Sequence, residues 1–160
     1  MKIISHRGNL KGPEKSNENK PQQIDLAIKN GFEVEIDLWL VHGNFLLGHD
    51  RPEHVIDLSW ALNRSKYLWI HCKNIELMDY FIINRIDLNF FFHQNDDVAL
   101  TSKFYLWVYP EKTYTKNSIL VSNNIDNLSF LNNPPFGICT DFPVHLNELC
   151  LKKQVSKVQV

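Results

Sequence analysis

The sequence has few cysteines and no excess of charge of either sign. Its three cysteines, Cys72, Cys139 and Cys150, form an odd set without regular spacing. Such a set argues against a disulfide framework and is typical of reduced thiols in a cytosol-like compartment. The formal net charge is −1, and the lysines and arginines are scattered. This pattern predicts neither nucleic-acid binding nor attraction to an anionic membrane.

Long hydrophobic runs are also missing. The amino-terminal segment reaches His6, Arg7 and Gly8 too early for the apolar centre of a secretory signal. No apolar stretch approaches the ~18 residues that a membrane-spanning helix needs. We therefore expect a cytoplasmic protein without stable membrane insertion. A length of 160 residues favours one domain over residues 1–160.

Short β-type runs alternate with helical or polar stretches along the whole chain. Helices are predicted from Pro21 to about Asn30, with an apolar stripe, and over residues 75–84. The alternation is typical of parallel βα units and predicts an α/β fold, a compact (β/α) TIM-type barrel trimmed to fit this chain. A doubly wound open sheet is the alternative. The predicted strands cover residues 2–5, 32–40, 67–73, 88–92, 104–109, 118–122 and 136–140.

Polar side chains follow several of these strands, at the edge where parallel α/β folds bind ligands. Glu35 and Asp37 share one face of the second strand, where their charges repel, and a divalent cation with oxygen preference would relieve that repulsion. Taken alone, the pair is more typical of a half-exposed strand whose acids face water than of a metal site. The polar residues are His6, Arg7, Glu35, Asp37, His71, Lys73, His93, Gln94, Thr140 and Asp141.

The second strand is followed by a predicted hairpin. If Gly43 and Asn44 form a two-residue type II′ turn, His49 falls opposite Leu38 and returns beside Asp37. A slip of one residue in this register would turn His49 to the other face.

Six stretches resemble, in order, motifs of the glycerophosphodiester phosphodiesterases and the related phospholipase D toxins. The resemblance is dense over residues 1–73, whereas residues 85–135 match too weakly to transfer any role. It implies a PLC-like phosphodiesterase barrel domain and metal-dependent cleavage of a phosphodiester. The stretches are SHRGN (5–9), EN (18–19), GFEVEIDLWL (31–40), GHD (48–50), HCK (71–73) and GICTDFP (137–143).

The resemblance also implies a role for each matching residue. Asp141 matches the aspartate of the TD motif, with a supporting role. His93 lies outside the matching stretches and is a candidate for contact with substrate or ion because it follows an apolar strand. The implied roles are catalysis for His6 and His49, phosphate binding for Arg7 and Lys73, metal binding for Glu35 and Asp37, and support of the first catalytic loop for Glu18.

His71 stands where the family has a third acidic metal ligand. A histidine there can bind the ion and shift its preference from magnesium or calcium toward manganese or zinc. Alternatively, Glu35, Asp37 and water hold the ion without it, or the site is inactive. We expect one divalent cation, Mg²⁺ or Ca²⁺ first, with Mn²⁺ or Zn²⁺ as the variant that His71 introduces.

The resulting hypothesis is a phosphodiesterase that cleaves a small glycerophosphodiester-like molecule. His6 acts as the base and His49 as the acid, and attack by a neighbouring substrate hydroxyl through a cyclic phosphate is expected, with direct water attack as the variant. One alternative is a catalytically silent barrel that binds a phosphorylated ligand or a protein partner. Another is a metal-dependent hydrolase for a different ester.

Overall fold

The computed structural model describes residues 1–126 and 128–158, without the side chains of residues 154–158. Ten strands and four α-helices make up this part of the chain. The strands are β1 (Lys2–His6), β2 (Glu33–Val41), β3 (Asn44–Leu47), β4 (His54–Ile56), β5 (Leu68–Cys72), β6 (Phe90–Phe91), β7 (Val98–Leu100), β8 (Leu106–Val108), β9 (Ser118–Val121) and β10 (Gly137–Thr140). The helices are α1 (Pro21–Lys29), α2 (Leu58–Leu62), α3 (Ile75–Ile83) and α4 (Pro143–Val158), and a 3₁₀ turn covers Leu128–Asn132.

The helices form where the sequence offers a start signal and an apolar stripe. Pro21 opens α1, since it needs no backbone N–H partner at that position, and Ile24 and Ala27 on its inner face are fully buried. Asn74 precedes α3, whose Leu77 and Phe81 pack into the core. Within the described residues, every helix is too short or too polar to cross a membrane.

Seven strands form one parallel row in the order β6-β5-β2-β1-β10-β9-β8. β7 runs antiparallel beside β8, and β3 and β4 extend the carboxyl half of β2 as an antiparallel arm. Past β7, the Ser102 N–H donates to the Phe90 carbonyl in β6 at 2.7 Å. The sheet is therefore mixed and strongly curled, with β6 near the residues that follow β7.

The expected (β/α) TIM-type barrel is wrong, because the sheet forms a curled half-barrel with few helices. The missing helices have a physical cause in the sequence. Residues 92–97, 101–105 and 109–117, which connect the later strands, are short and polar and carry no apolar stripe that could cover the outside of the sheet. Helices pack instead around β1, β2 and β5.

A layer of apolar side chains fills the inside of the curled sheet. It separates a cavity at the carboxyl ends of the strands from another at the amino ends. Phe91 lies at its centre and stacks on Trp107 with ring centroids 4.5 Å apart. The layer consists of Ile4, Trp69, Phe91, Ala99, Trp107, Ile119 and Cys139.

The hairpin between β2 and β3 exists, but its turn is shifted from the prediction. His42 and Gly43 form the two-residue loop, both with positive φ (49° and 79°), which is the type I′ pattern. Leu47 therefore pairs with Leu38 and not with Leu40 as predicted, two residues nearer the start of β2. A shift of two preserves the facing of every side chain, so His49 still returns toward Asp37.

Candidate active site

The centre of the site is a buried cluster of two acids and one histidine. β2 carries Glu35 and Asp37 on its inner face, and β5 places His71 directly beside Asp37 in the parallel register. The three side chains are 3%, 1% and 9% exposed. One ligand atom from each lies within 4.8 Å of the other two. The cluster can therefore hold a metal ion.

Asp37 is surrounded by positive charge and hydrogen-bond donors. The His71 Nδ1 lies 3.1 Å from Oδ1, and the Lys73 Nζ lies 3.3 Å from the same oxygen. The Arg7 Nε is 3.3 Å from Oδ2, which also accepts a hydrogen bond from the Asn19 side chain at 2.9 Å. Burial disfavours the charged form, but the His71 bond and the cations outweigh it and hold the Asp37 pKa well below its usual range.

Glu35 has the opposite electrostatic surroundings. Burial and the neighbouring Asp37 charge raise the Glu35 pKa, although His6 and Arg7 act against that rise. The Arg7 backbone N–H approaches its Oε2 at 3.3 Å. A second positive charge placed beside Glu35 would stabilise its carboxylate. The donor set of two carboxylates and an imidazole fits a divalent ion that accepts both oxygen and nitrogen.

His6 is held in one orientation by Asp141. The His6 Nδ1 lies 2.8 Å from Asp141 Oδ1, and because a carboxylate only accepts, Nδ1 carries the proton. The Asn9 and Asn123 side chains donate to the same carboxylate at 2.8 and 2.7 Å. The His6 Nε2 lies 3.9 Å from Glu35 Oε2. Burial lowers the His6 pKa, but the Asp141 bond and the Glu35 charge outweigh it and leave that pKa raised.

His49 reaches the site from the loop after β3. The Trp39 indole N–H donates to the Gly48 carbonyl at 2.6 Å, which fixes the backbone just before His49. The His49 Nδ1 bonds to Asp50 at 2.6 Å. Burial lowers the His49 pKa, with Asp37 acting in the opposite direction. Because Asp50 holds the His49 Nδ1, the other ring nitrogen, Nε2, is the one available for proton transfer.

These groups border one cavity of about 250 Å³ at the carboxyl ends of the parallel strands. Lys73 is not part of the lining, since its ammonium group contacts Asp37 instead. The lining consists of His6, Arg7, Glu35, Asp37, His49, His71, His93, Trp107, Tyr109, Pro110, Val121 and Asn123.

His93 lies in the same cavity, parallel to His71, with ring centroids 4.4 Å apart. Its backbone carbonyl lies 3.3 Å from the His71 Nε2, and the His71 Nδ1 faces Asp37, so His71 would exchange one of these two contacts for an ion on binding it. Burial, followed by the proximity of His71 and Lys73, lowers the His93 pKa to about 4. The His93 ring is therefore neutral near pH 7, and its buried Nδ1 has no hydrogen-bond partner in the part of the chain that the structure describes.

Glu18 and three asparagines support the site from outside the cluster. Glu18 accepts hydrogen bonds from Arg7 and Asn9, both at 3.0 Å, and so ties the loop after β1 together. The sequence reasoning missed the roles of Asn9 and Asn19, although both stand inside the quoted motifs. Nothing in the sequence indicated Asn123. It follows β9 and its partner Asp141 follows β10, so their contact depends on the pairing of these strands.

No family model, no curated protein and no solved structure matches this chain.

Proposed function

We propose that the chain is a metal-dependent phosphodiesterase acting on a small glycerophosphodiester-like substrate. One observation carries the proposal: His6, His49 and Arg7 meet the cluster of Glu35, Asp37 and His71 around a single cavity. The residues come from separate stretches of sequence that resemble phosphodiesterase motifs. Each chemical task of phosphodiester cleavage has a candidate group in this cavity.

Glu35, Asp37 and His71 would hold the cation. A divalent ion there would supply electrostatic stabilisation for the negative charge on the phosphoryl oxygens. Two carboxylates with an imidazole favour Mn²⁺ or Zn²⁺ over Mg²⁺ and Ca²⁺, because the latter prefer oxygen ligands alone. We therefore propose one ion of the manganese or zinc type.

Arg7 is the residue placed to bind the phosphate. Its guanidinium borders the cavity and is held by Glu18 and Asp37, so little conformational entropy is lost when it contacts an anion. Lys73 would act on the phosphate through its electrostatic field rather than by direct contact, because its ammonium group lies against Asp37. Both cations oppose the negative charge that the acids bring to the cavity.

His6 and His49 divide the proton transfers. We keep His6 as the base and His49 as the acid, although in the described site the His6 pKa is raised and the His49 pKa is lowered. A cation bound by Glu35 counteracts the negative charge that raises the His6 pKa, and so favours the neutral ring that a base requires. Asp141 keeps the His6 Nε2 free to accept the proton.

Turnover of a panel of diesters tests the proposal. Glycerophosphocholine and bis-(p-nitrophenyl) phosphate would be offered to the chain with each divalent ion, and product release would be measured. We expect His6→Ala and His49→Ala to lose about two to four orders of magnitude in rate. His42→Ala is the matched control, since His42 lies in the hairpin turn. Near-wild-type rates in both variants would refute the assignment.

A second candidate is a silent protein that binds a phosphorylated ligand. It is favoured by the ion pairs of Asp37 with Arg7 and Lys73, which compensate its carboxylate without any metal, and by the His71 contact at 3.1 Å. Binding of glycerol 3-phosphate that neither requires a divalent ion nor leads to turnover of any diester would favour this candidate.

A further inference from the structure

The amino ends of the strands border a second cavity, on the far side of the apolar layer from the candidate active site. Its volume is about 450 Å³, against about 250 Å³ for the first cavity. Trp69 of the apolar layer lines it, whereas Trp107 of the same layer lines the first cavity. None of the residues proposed for phosphodiester chemistry borders it, so it is a separate site.

Positive charge dominates the rim of this cavity. Lys2, Lys66 and Lys103 line it, together with a single acid, Glu33. Both oxygens of Glu33 are engaged, one by Lys2 at 2.5 Å and the other by the Trp69 indole N–H at 2.8 Å. Within the described residues Lys66 has no charged partner, and Lys103 pairs only with the exposed Asp87. The rim thus has cationic capacity left for an anion.

The remaining lining offers aromatic rings tilted against one another and one polar atom that has no hydrogen-bond partner among the described residues. The Tyr105 and Phe136 rings lie 4.4 Å apart, and Trp69 meets Tyr105 edge-on at 5.3 Å. Asn89 lines the same cavity, and its side-chain oxygen is buried with no hydrogen-bond partner among residues 1–126 and 128–153. A buried acceptor of this kind loses free energy unless a donor reaches it.

From these three features we infer that this cavity binds a small aromatic anion bearing a hydrogen-bond donor. Its acidic group pairs with Lys66 and Lys103, and its ring packs on Tyr105 and Phe136. Its donor bonds to the Asn89 oxygen once the buried amide turns toward the cavity. The inference does not depend on the proposed phosphodiesterase activity, because it uses different residues at the opposite end of the sheet.

Three matched probes separate the contributions: 4-aminobenzoate, benzoate, which lacks the donor, and aniline, which lacks the anionic group. Binding to the full chain is followed by two-dimensional ¹H–¹⁵N NMR. The Trp69 indole N–H is the local reporter, identified by its loss in Trp69→Phe. Lys66→Gln combined with Lys103→Gln removes the rim charge, and both side chains are exposed, so the fold is retained. Lys29→Gln, on α1 away from the cavity, is the control for a change of charge.

We expect 4-aminobenzoate to shift the Trp69 indole signal saturably and to bind more tightly than either other probe. The double lysine variant should weaken that binding about tenfold, which corresponds to about 1.4 kcal/mol, while Lys29→Gln leaves it unchanged. No saturable shift would overturn the inference. Equal binding of aniline and 4-aminobenzoate, or an unaltered affinity in the double variant, would overturn it as well.

Discussion

Two acids on the same face of β2 differ in pKa because their side chains have different contacts. Asp37 contacts four positively charged or hydrogen-bonding side chains and keeps a lowered pKa, while Glu35 is buried beside Asp37 and has a raised one. The difference makes Glu35 the member of the pair with the most to gain from a cation. Substitution of Glu35 should therefore affect ion binding with less damage to the surrounding ion pairs than substitution of Asp37.

Asp141 is expected to stabilise the fold in a pH-dependent way. Burial would raise its pKa, but hydrogen bonds from His6, Asn9 and Asn123 leave it lowered. Its stabilisation is therefore present above the unfolded pKa and is lost as pH falls through the folded pKa. Asp141→Asn replaces an acceptor by a donor, and should cost about 1–3 kcal/mol in the free energy of unfolding at pH 7.

Urea denaturation at pH 7 and near pH 3 measures this effect. The loss of stability on acidification should be smaller in Asp141→Asn than in the wild-type chain, because the variant has no carboxylate to protonate at that position. Asp126→Asn, at an exposed site, is the control. Equal acid sensitivity in all three proteins would contradict the role assigned to Asp141.

His71 is expected to select the ion. His71→Glu supplies a third carboxylate, and we expect Mg²⁺ and Ca²⁺ affinity to rise and the preference for Zn²⁺ to fall by about tenfold or more. Calorimetric titration of both proteins with each ion measures the change. His54→Glu, outside the cavity, is the control. An unchanged order of ion affinities would show that His71 is not a ligand.

The sequence located most of the site residues because motifs at strand ends fall on one edge of a parallel sheet. His6, Glu35 and His71 lie on neighbouring strands, as the order of motifs implied. It could not show that the Lys73 ammonium group lies against Asp37, since the direction of a long flexible side chain depends on its ion pairs. The sequence could not indicate Asn123, because its contact with Asp141 depends on how β9 and β10 pair.

At the scale of elements, the hairpin of β2 and β3 delivers His49 to the site. Gly43 lies in the turn with open space around its Cα, whereas a Cβ at Gly48 would overlap the Arg51 carbonyl oxygen. Both glycines have positive φ, so both resist substitution on conformational grounds. Only Gly48 is also closely packed, and it directly precedes His49.

Gly43→Ala and Gly48→Ala form a matched pair of variants. We expect Gly43→Ala to cost about 1–2 kcal/mol in the free energy of unfolding, from the backbone conformation alone. Gly48→Ala should cost more and should also lower diesterase turnover, because the backbone that holds His49 must move. Denaturation and rate measurements on both variants check this. Equal stability and turnover in the two variants would contradict the proposed function of the loop.

Each of the seven strands predicted from the sequence overlaps a strand of the structure. Those runs are rich in β-branched and aromatic residues, which mark buried strands. β4 and β7 were missed, since each has only three residues and an exposed edge position gives a weak pattern. The position of the hairpin turn was predicted wrongly because a histidine such as His42, unlike glycine, does not indicate a positive φ.

At the scale of the whole molecule, the apolar layer separates the two cavities and stabilises the curled sheet. Phe91 is 1% exposed and contacts Trp107 and His71 by ring stacking. Phe91→Ala should cost about 3–5 kcal/mol, because it leaves a hole where strands from both ends of the sheet meet. Thermal and urea unfolding measure the loss, with exposed Phe104→Ala as control. A loss below about 1 kcal/mol would show that the layer is not a packed core.

The predicted fold class was wrong because helices were expected between all the strands, and the segments that connect the later strands contain none. Parallel strands pointed to βα units, and α1 and α3 follow that pattern. The segments around β7 and β8 contain no helix-forming stripe, so the sheet curls without a complete outer layer. The edge at which the site forms is the same in either architecture, and this is why an incorrect barrel still led to a coherent site.

The most direct test is the divalent-ion dependence of diester cleavage by the chelator-treated chain. Bis-(p-nitrophenyl) phosphate turnover would be followed while Mn²⁺, Zn²⁺, Mg²⁺ or Ca²⁺ is added back, in the wild-type chain, Glu35→Ala and the control Glu76→Ala. We predict no turnover without an ion, recovery with Mn²⁺ or Zn²⁺ in the wild type and the control, and none in Glu35→Ala. Turnover that ignores the ion, or that survives in Glu35→Ala, would contradict the proposed metal-dependent site.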